Sequence, residues 1–562
     1  MKRKIEFRPK LMDALRSYSK EKFAADFMAG IIVGIVALPL AIAFGIASGV
    51  SPAEGLITAI IGGFIVALLG GTNVQIGGPT GAFIVIVYGI VADPELGLPG
   101  LAMATIFAGL ILILMGLLHL GTVIRFIPYP IVVGFTSGIA LTIFSTQIND
   151  LLGLGLTGLP GNFLAKWGVY FHNFDKTDLV AVGLSALSIL LIIFTPKVLK
   201  KIPGSLVAII VVTLLAYVLR EHCGVQGIAT IGDNFPNLNA EIHLRGFDIP
   251  GMDQINKILP SAFTIAILGA IESLLSATVV DGITGDKHDS NTELVAQGAA
   301  NLVVPFFGGI PVTGAIARTM TNINNGGRTP VAGIVHAVVL LLIMLFLIPL
   351  AKHIPMACLA GVLVMVSYNM SGWRTFGSLL KNSKSDVIVL LVTFFLTVIF
   401  DLTIAIEIGL LLAMLLFMRR MSETTRFSVA TEKLDLSNEG EIPHMDEKLD
   451  LKPGIEVYEI DGPFFFGVAN RFDEVMNLYG TTKPKVRIIR MRKVPFMDTT
   501  GLHNMESLFR LSNKEGIRVI LSGVNEKVRR VLQKSDIYEA IGERNVCDNI
   551  HEAIAVANSY LD

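Results

Sequence analysis

Two short stretches of this 562-residue sequence carry residue types suited to holding a small charged species. One is Gly77-Gly78-Pro79-Thr80-Gly81-Ala82. The other, roughly 230 residues later, is Gly308-Gly309-Ile310-Pro311-Val312-Thr313-Gly314-Ala315. Each opens an apolar segment, with Gly and Pro ahead of it. A helix beginning there begins partway across a bilayer and aims its free backbone N–H groups into a cavity. Two such starts, facing each other, concentrate positive potential without a fixed cation and suit a small anion. Thr80 and Thr313 add hydroxyl donors, while Gly81, Ala82, Gly314 and Ala315 permit close approach. These six are the candidate substrate-binding residues, and a cage of neutral donors suits oxyanions such as sulfate or bicarbonate. The plainer alternative is two helix-packing glycine patches. The matched offset of the pair favours interrupted helices in two inverted repeats.

Glu272 lies in the otherwise apolar stretch 265–277, where an ionised carboxylate is costly unless it faces a cavity. It is the candidate coupling residue, either protonated in the cycle or holding Na⁺ with help from Ser276 one turn on. Glu rather than Asp, with no second intramembrane carboxylate close in sequence, leans toward H⁺. The alternative is a carboxylate that caps neighbouring backbone or pairs with Arg318. Arg318 itself either lends positive charge near Thr313 or snorkels to the membrane edge. Asn73 and Gln75 are expected to cap the first start or to line a vestibule. Asp401 and Glu407 are expected at the end of the last span as interfacial and packing residues. No His or Cys has metal-ligand spacing, and no cofactor is expected beyond the coupling ion.

The elements that must position these residues follow from composition. The chain is 52% hydrophobic and 16% charged, with mean hydropathy +0.65, which indicates many membrane spans. A net charge of −1 gives no argument for nucleic acid. Apolar segments fall near 24–48, 55–70, 79–93, 101–118, 122–148, 178–195 and 203–219. A second seven fall near 258–281, 293–307, 313–324, 330–350, 355–370, 385–400 and 402–420. Residues 1–22 form a basic arm with an interfacial helix after Pro9, and 23–420 the transmembrane domain. Positive residues such as Arg125, Lys197, Lys200, Lys201, Arg328, Arg419 and Arg420 place both termini in the cytoplasm of an inner (plasma) membrane protein. Residues 421–450 are a polar linker. Residues 451–562 have α/β character, with strand-like runs at 454–460, 464–468, 486–491 and 518–522. Helical patterns follow at about 469–479, 501–513, 525–534 and 547–559.

Asp26-Phe27-Met28-Ala29-Gly30-Ile31-Ile32-Val33-Gly34-Ile35-Val36-Ala37-Leu38-Pro39 resembles the opening of the SulP anion permeases. The two glycine-rich starts, the second continuing as Ile316-Ala317-Arg318-Thr319, match that family's half-helices. Phe496-Met497-Asp498-Thr499-Thr500-Gly501-Leu502 is similar to the signature of a STAS domain. The resemblance implies a polytopic α-helical membrane protein of fourteen segments in 7+7 inverted repeats, followed by a cytoplasmic α/β STAS domain. Spans 1–4 and 8–11 would form a core, and spans 5–7 and 12–14 a gate. It further implies a homodimer, elevator-like motion, and a cytoplasmic partner for the STAS domain. Thr500 matches the hydroxyl phosphorylated in soluble STAS proteins. The chain departs from many members in having Leu40 and Phe44 where they carry Gln and Tyr.

The function these features imply is symport of a small inorganic oxyanion, coupled to H⁺ or Na⁺. The alternatives are a C4-dicarboxylate symporter and an anion-sensing membrane protein signalling through STAS. An enzyme is disfavoured, because no nucleophile, metal cluster or triad is present.

Overall fold

The computed structural model describes residues 7–16, 18–122, 128–160, 162–198, 203–225, 227–236, 244, 252–400, 402–430, 433–435, 448–468 and 484–562. Arg125, Lys200, Lys201, Asp401 and the expected helix at 469–479 lie outside them. The chain forms two compact units, Met1–Ala413 and Met414–Asp562.

The first unit is helical. After α1 (Lys10–Arg16), α2 (Lys20–Ala47) is capped by Ser19, whose hydroxyl accepts from the Lys22 amide. At 28 residues, α2 is about 42 Å long, more than the roughly 30 Å of hydrocarbon. α3 (Pro52–Leu69) contains a π-helical turn at Thr58–Gly62. Then come β1 (Gly77–Gly78), a 3₁₀ turn (Gly81–Phe83), α4 (Ile84–Ala92) and α5 (Gly97–Leu117). α6 (Tyr129–Leu152), α7 (Phe163–His172), α8 (Leu179–Val198) and α9 (Gly204–Glu221) complete the first half. The second half runs through α10 (Met252–Thr284), α11 (Ser290–Val303), β2 (Thr313–Gly314), α12 (Ile316–Asn324), α13 (Val331–Ala351) and α14 (Met356–Ser371). It ends with α15 (Trp373–Leu379), α16 (Lys384–Ile399) and α17 (Leu402–Thr424). A helix stands at each of the fourteen expected segments, and among the described residues eight helices are long and apolar enough to cross a membrane.

Packing divides these helices as the repeat reading expects. α2 lies on α13, and α5 on α10 and α11; α6 lies on α14 and α16, and α8 on α9 and α14. The α2–α13 seam is close because a Cβ on Gly30 would fall 2.6 Å from the Ala332 carbonyl oxygen, and one on Gly34 2.8 Å from Val339 Cγ1. Asp26, the first residue of the opening motif, is fully buried. It accepts from the Arg328 and Thr329 amides and from the Tyr18 and Thr329 hydroxyls, tying α2 to the turn before α13.

Two expectations need correction here. α12 is not an apolar segment. Its sequence Ile-Ala-Arg-Thr-Met-Thr-Asn-Ile-Asn is polar on average and strongly amphipathic, with Arg318, Thr319 and Asn322 on the buried side. The amphipathic helix α7 was not expected at all, because its ten residues lie between spans and lack a long apolar run.

The second unit holds a five-stranded sheet in the order β3 (Arg426–Ala430), β6 (Ile455–Asp461), β7 (Val486–Lys493), β8 (Arg518–Ser522), β9 (Val546–Cys547). A separate hairpin pairs β4 (Lys433–Asp435) with β5 (Lys448–Asp450). β3 is antiparallel to β6, and the other neighbours are parallel. Successive residues alternate between faces. Ile489, Met491 and Leu521 pack with α18 (Thr499–Lys514), α19 (Glu526–Leu532) and α20 (Asp536–Ile541), whereas Ile488 and Ile520 pack with α21 (Ile550–Asn558). The expected linker therefore contains strands. The run at 464–468 is a single bridge from Phe464 to Met497 followed by a 3₁₀ turn, Phe466–Val468.

Candidate functional site

The two glycine-rich starts meet. β1 pairs antiparallel with β2, placing Gly77 opposite Gly314 and Gly78 opposite Thr313, and the Ala315 amide donates to the Ile76 carbonyl at 2.9 Å. Glycine is required in this pairing because each half inserts a polar side chain beside the other's backbone. A Cβ on Gly78 would fall 1.9 Å from Arg318 Nη1, and one on Gly314 1.8 Å from Gln75 Nε2. Gly308 is needed for another reason, a left-handed φ of 80° that reverses the chain ahead of β2. Thr58, in the π turn of α3, holds the next residues by accepting from the Ile310 amide at 2.7 Å. Asn301 clasps Val312 from both sides, accepting from its amide at 2.9 Å and donating to its carbonyl at 2.7 Å.

At the first start, Thr80 is half-buried and donates from its hydroxyl to Glu272 Oε2 at 2.8 Å. Glu272 is likewise half-buried, and among the described residues no cation pairs with it. The Gly81 and Ala82 amides open the turn without an intrahelical acceptor. A Cβ on Gly81 would fall 2.7 Å from Met370 Sδ and 3.3 Å from Ile143 Cδ1, so α14 and α6 form the opposite wall. Ser276, one turn along α10 from Glu272, is buried and its hydroxyl has no partner.

The second start is sealed. Thr313 is fully buried and donates its hydroxyl to the Gly269 carbonyl at 2.8 Å, while the Ala315 amide serves the strand pairing. The Thr313 hydroxyl hydrogen and the Ala315 N–H are thus already committed. Gly314 is buried in the pairing itself.

Arg318 neither snorkels nor pairs with Glu272. It is 1% exposed, donates from Nη2 to the Pro79 carbonyl at 2.6 Å, and leaves Nη1 without a partner. The guanidinium expected either near Thr313 or at the membrane edge therefore stands directly behind the first start instead. Gln75 is buried too, not on a vestibule, and donates to Ser273 Oγ at 2.9 Å and Glu293 Oε1 at 3.0 Å. Asn73 is the outer of the two and reaches Asp286 at 2.9 Å.

Glu293 was missed. It is a second intramembrane carboxylate, fully buried on α11, and it accepts from the Gly71 amide and from the Thr72, Gln75, Ser273 and Gln297 side chains. Four residues after Asp289, which caps α11, it has the sequence look of an ordinary first-turn acid. Glu407 is exposed on α17, and Leu40 and Phe44 pack in the apolar core. In the second unit, Thr500 is half-buried at the start of α18, where the cap is the Asp498 carboxylate, accepting from the Gly501 amide at 2.8 Å. The three cysteines are free.

Comparison with known proteins agrees with this architecture. Residues 23–393 match the sulfate permease family, and residues 448–553 match the STAS domain. Over 539 residues the chain is 39% identical to the putative sulfate transporter YvdB of Bacillus subtilis, covering 96% of this chain and 98% of that one. Over 509 residues it is 30% identical to the bicarbonate transporter BicA of Synechocystis, covering 89% and 88%. The solved transmembrane domain of a cyanobacterium bicarbonate transporter BicA is similar at 32% identity and TM-score 0.61, over 70% of this chain and 98% of that one. The murine Slc26a9 anion transporter shares the fold at TM-score 0.86 and 18% identity, over 98% and 94%.

Proposed function

The chain belongs to the sulfate permease family of multi-pass membrane anion transporters, and from that premise we propose that it carries sulfate or bicarbonate inward by symport with H⁺ or Na⁺. The observation that carries this reading is the hydrogen bond from Thr80 to Glu272 at the mouth of the paired starts. An anion resting on the Gly81 and Ala82 amides is drawn there by the Arg318 charge behind them. It would also repel an ionised Glu272. Occupancy of the anion site therefore favours a Glu272 that has taken up H⁺ or Na⁺, which is the physical content of coupling. The uncommitted Ser276 oxygen is a further ligand for Na⁺.

The same geometry suggests how access alternates. Gly81 belongs to the group built on α2, α5, α10 and α13, while Met370 and Ile143 belong to the group built on α6, α8, α9, α14 and α16. Movement of the first group against the second would carry the site across the membrane in an elevator-like motion. The charge distribution supports cytoplasmic termini, and residence in the plasma membrane is part of the same proposal.

The test is uptake of labelled sulfate and of labelled bicarbonate into proteoliposomes, with H⁺ and Na⁺ gradients imposed separately. One gradient should drive accumulation. Glu272→Gln should abolish that accumulation while anion binding stays within about threefold. Accumulation that survives Glu272→Gln moves the coupling site elsewhere, and binding with no accumulation in the unmodified protein points to a sensor.

A further inference from the structure

A second polar site stands apart from Thr80 and Glu272. At the C-terminal end of α2, a cavity of about 130 Å³ opens between Tyr88 of α4, Asp150 of α6, and Lys166 and Tyr170 of α7. That is far above the roughly 10–15 Å³ needed to hold one water. Lys166 is 4% exposed and makes no ion pair among the described residues. Its ammonium lies 5.6 Å from the centre of the Tyr88 ring. Tyr170 is 2% exposed, and its hydroxyl has no partner. Among the described residues Asp150 accepts only a long hydrogen bond, 3.3 Å, from Asn149. A buried ammonium, a buried phenol and a carboxylate that do not satisfy one another are costly unless something sits between them.

We propose that this cavity is an anion-binding site selective for a monoprotonated oxyanion, of which bicarbonate is the simplest. The Lys166 ammonium and the Tyr170 hydroxyl donate to its charged oxygens. Its own O–H donates to Asp150, which can only accept. Sulfate has no proton to offer Asp150 and would set two like charges against each other. The cavity also joins α7 to α4, the short helix that begins at Gly81, so an anion here would draw Lys166 off the Tyr88 ring beside the transport path. The site stands whether or not the Thr80–Glu272 pair carries the flux.

Trp167 reports on this cavity, because its ring meets Tyr170 edge-on at 6.0 Å. The chain has two tryptophans, so full-length protein carrying Trp373→Phe has Trp167 as its single indole. Its emission is titrated with bicarbonate and with sulfate at fixed pH and ionic strength. The expected result is saturation by bicarbonate at a concentration at least about tenfold below any sulfate response, the factor of a charge-assisted hydrogen bond. Lys166→Met and Tyr170→Phe should each weaken the bicarbonate response by about tenfold, and Asp150→Asn should remove the preference. Glu272→Gln should leave the response intact. Equal saturation by both anions overturns the proposal, as does a response unchanged in Lys166→Met. A response lost in Glu272→Gln overturns it too, because the signal would then come from the central site. Absence of gradient-driven uptake in protein with Glu272 unchanged, with the Trp167 response intact, counts against the proposed transport function alone.

Discussion

Thr80 and Thr313 occupy matching places in the two repeats, yet the structure uses them in opposite ways. Thr80 is half-buried, and its hydroxyl points to a carboxylate that is itself half-buried. Thr313 is closed off, its hydroxyl spent on a helix carbonyl. The carboxylates repeat the contrast. Among the described residues Glu272 has a single side-chain donor, Thr80. Glu293 has five donors and no exposure. One half of the paired starts is thus arranged to receive something, while the other is a clamp that fixes where the first half stands. Sequence repetition reproduces the backbone framework; whether a hydroxyl meets a half-buried carboxylate or a helix carbonyl depends on what packs around each copy.

The harshest way to break this division is to fill the glycines that the two halves share. Gly314→Ala would push the Gln75 amide off Glu293 and Ser273, and Gly78→Ala would push Arg318 off the Pro79 carbonyl. Both obstructing atoms end flexible side chains, but both side chains are buried and hydrogen-bonded, so neither can swing to water. Overpacking costs about 1–3 kcal/mol, and separating a buried charged group from its partner adds a similar amount. Each variant should therefore lose most of its uptake, with a fall in thermal stability measured on the purified protein. Full uptake in Gly78→Ala would show that Arg318 has room to move and is no fixed part of the site.

Much of the frame is legible in the sequence because it depends on coarse physics. Long apolar runs mark spans, and Gly-Pro ahead of a small-residue stretch marks a helix start inside the membrane. The residues that were missed or misplaced share a different cause. Arg318, Gln75 and Glu293 are buried polar groups whose partners lie up to about 240 residues away. Nothing local distinguishes a buried Arg318 from one that snorkels; only the facing Gly78 makes the room. Asp498-Thr499-Thr500-Gly501 announces a helix start plainly, but not that the carboxylate rather than a hydroxyl supplies the cap. The strand β3 was hidden because five residues on a sheet edge, flanked by charge, have the composition of a linker.

Removing one hydroxyl at a time sharpens the comparison with less damage. Thr80→Val keeps the side-chain volume and leaves Glu272 without the donor it has in the structure. A hydrogen bond to a charged group is worth about 1.5–3 kcal/mol, so KM for the anion or the coupling ion should rise by about tenfold or more. Thr313→Val removes a neutral hydrogen bond to a carbonyl that also belongs to a helix. Stability should fall by about 1 kcal/mol, with KM held within about twofold. Equal changes in KM for the two variants would erase the distinction between receiving half and clamp.

The smallest effect is expected where the same logic operates in the second unit. There the start of α18 is closed by Asp498, which accepts from the Gly501 amide and, through its other oxygen, from the Phe466 amide. Thr500 sits beside this cap without contributing to it. Asp498→Ala should therefore cost about 1 kcal/mol locally, seen as roughly fivefold faster hydrogen exchange of the first α18 amides in the full-length protein. Thr500→Val should leave that exchange unchanged, since its hydroxyl is as uncommitted as that of Ser276. A free hydroxyl is available for whatever arrives: at Ser276 inside α10, an ion beside Glu272, or at Thr500, on a helix start where the dipole favours negative charge, a phosphoryl group. If Thr500→Val speeds exchange as much as Asp498→Ala does, the hydroxyl is part of the cap after all, and Thr500 belongs with Thr313 rather than with Ser276.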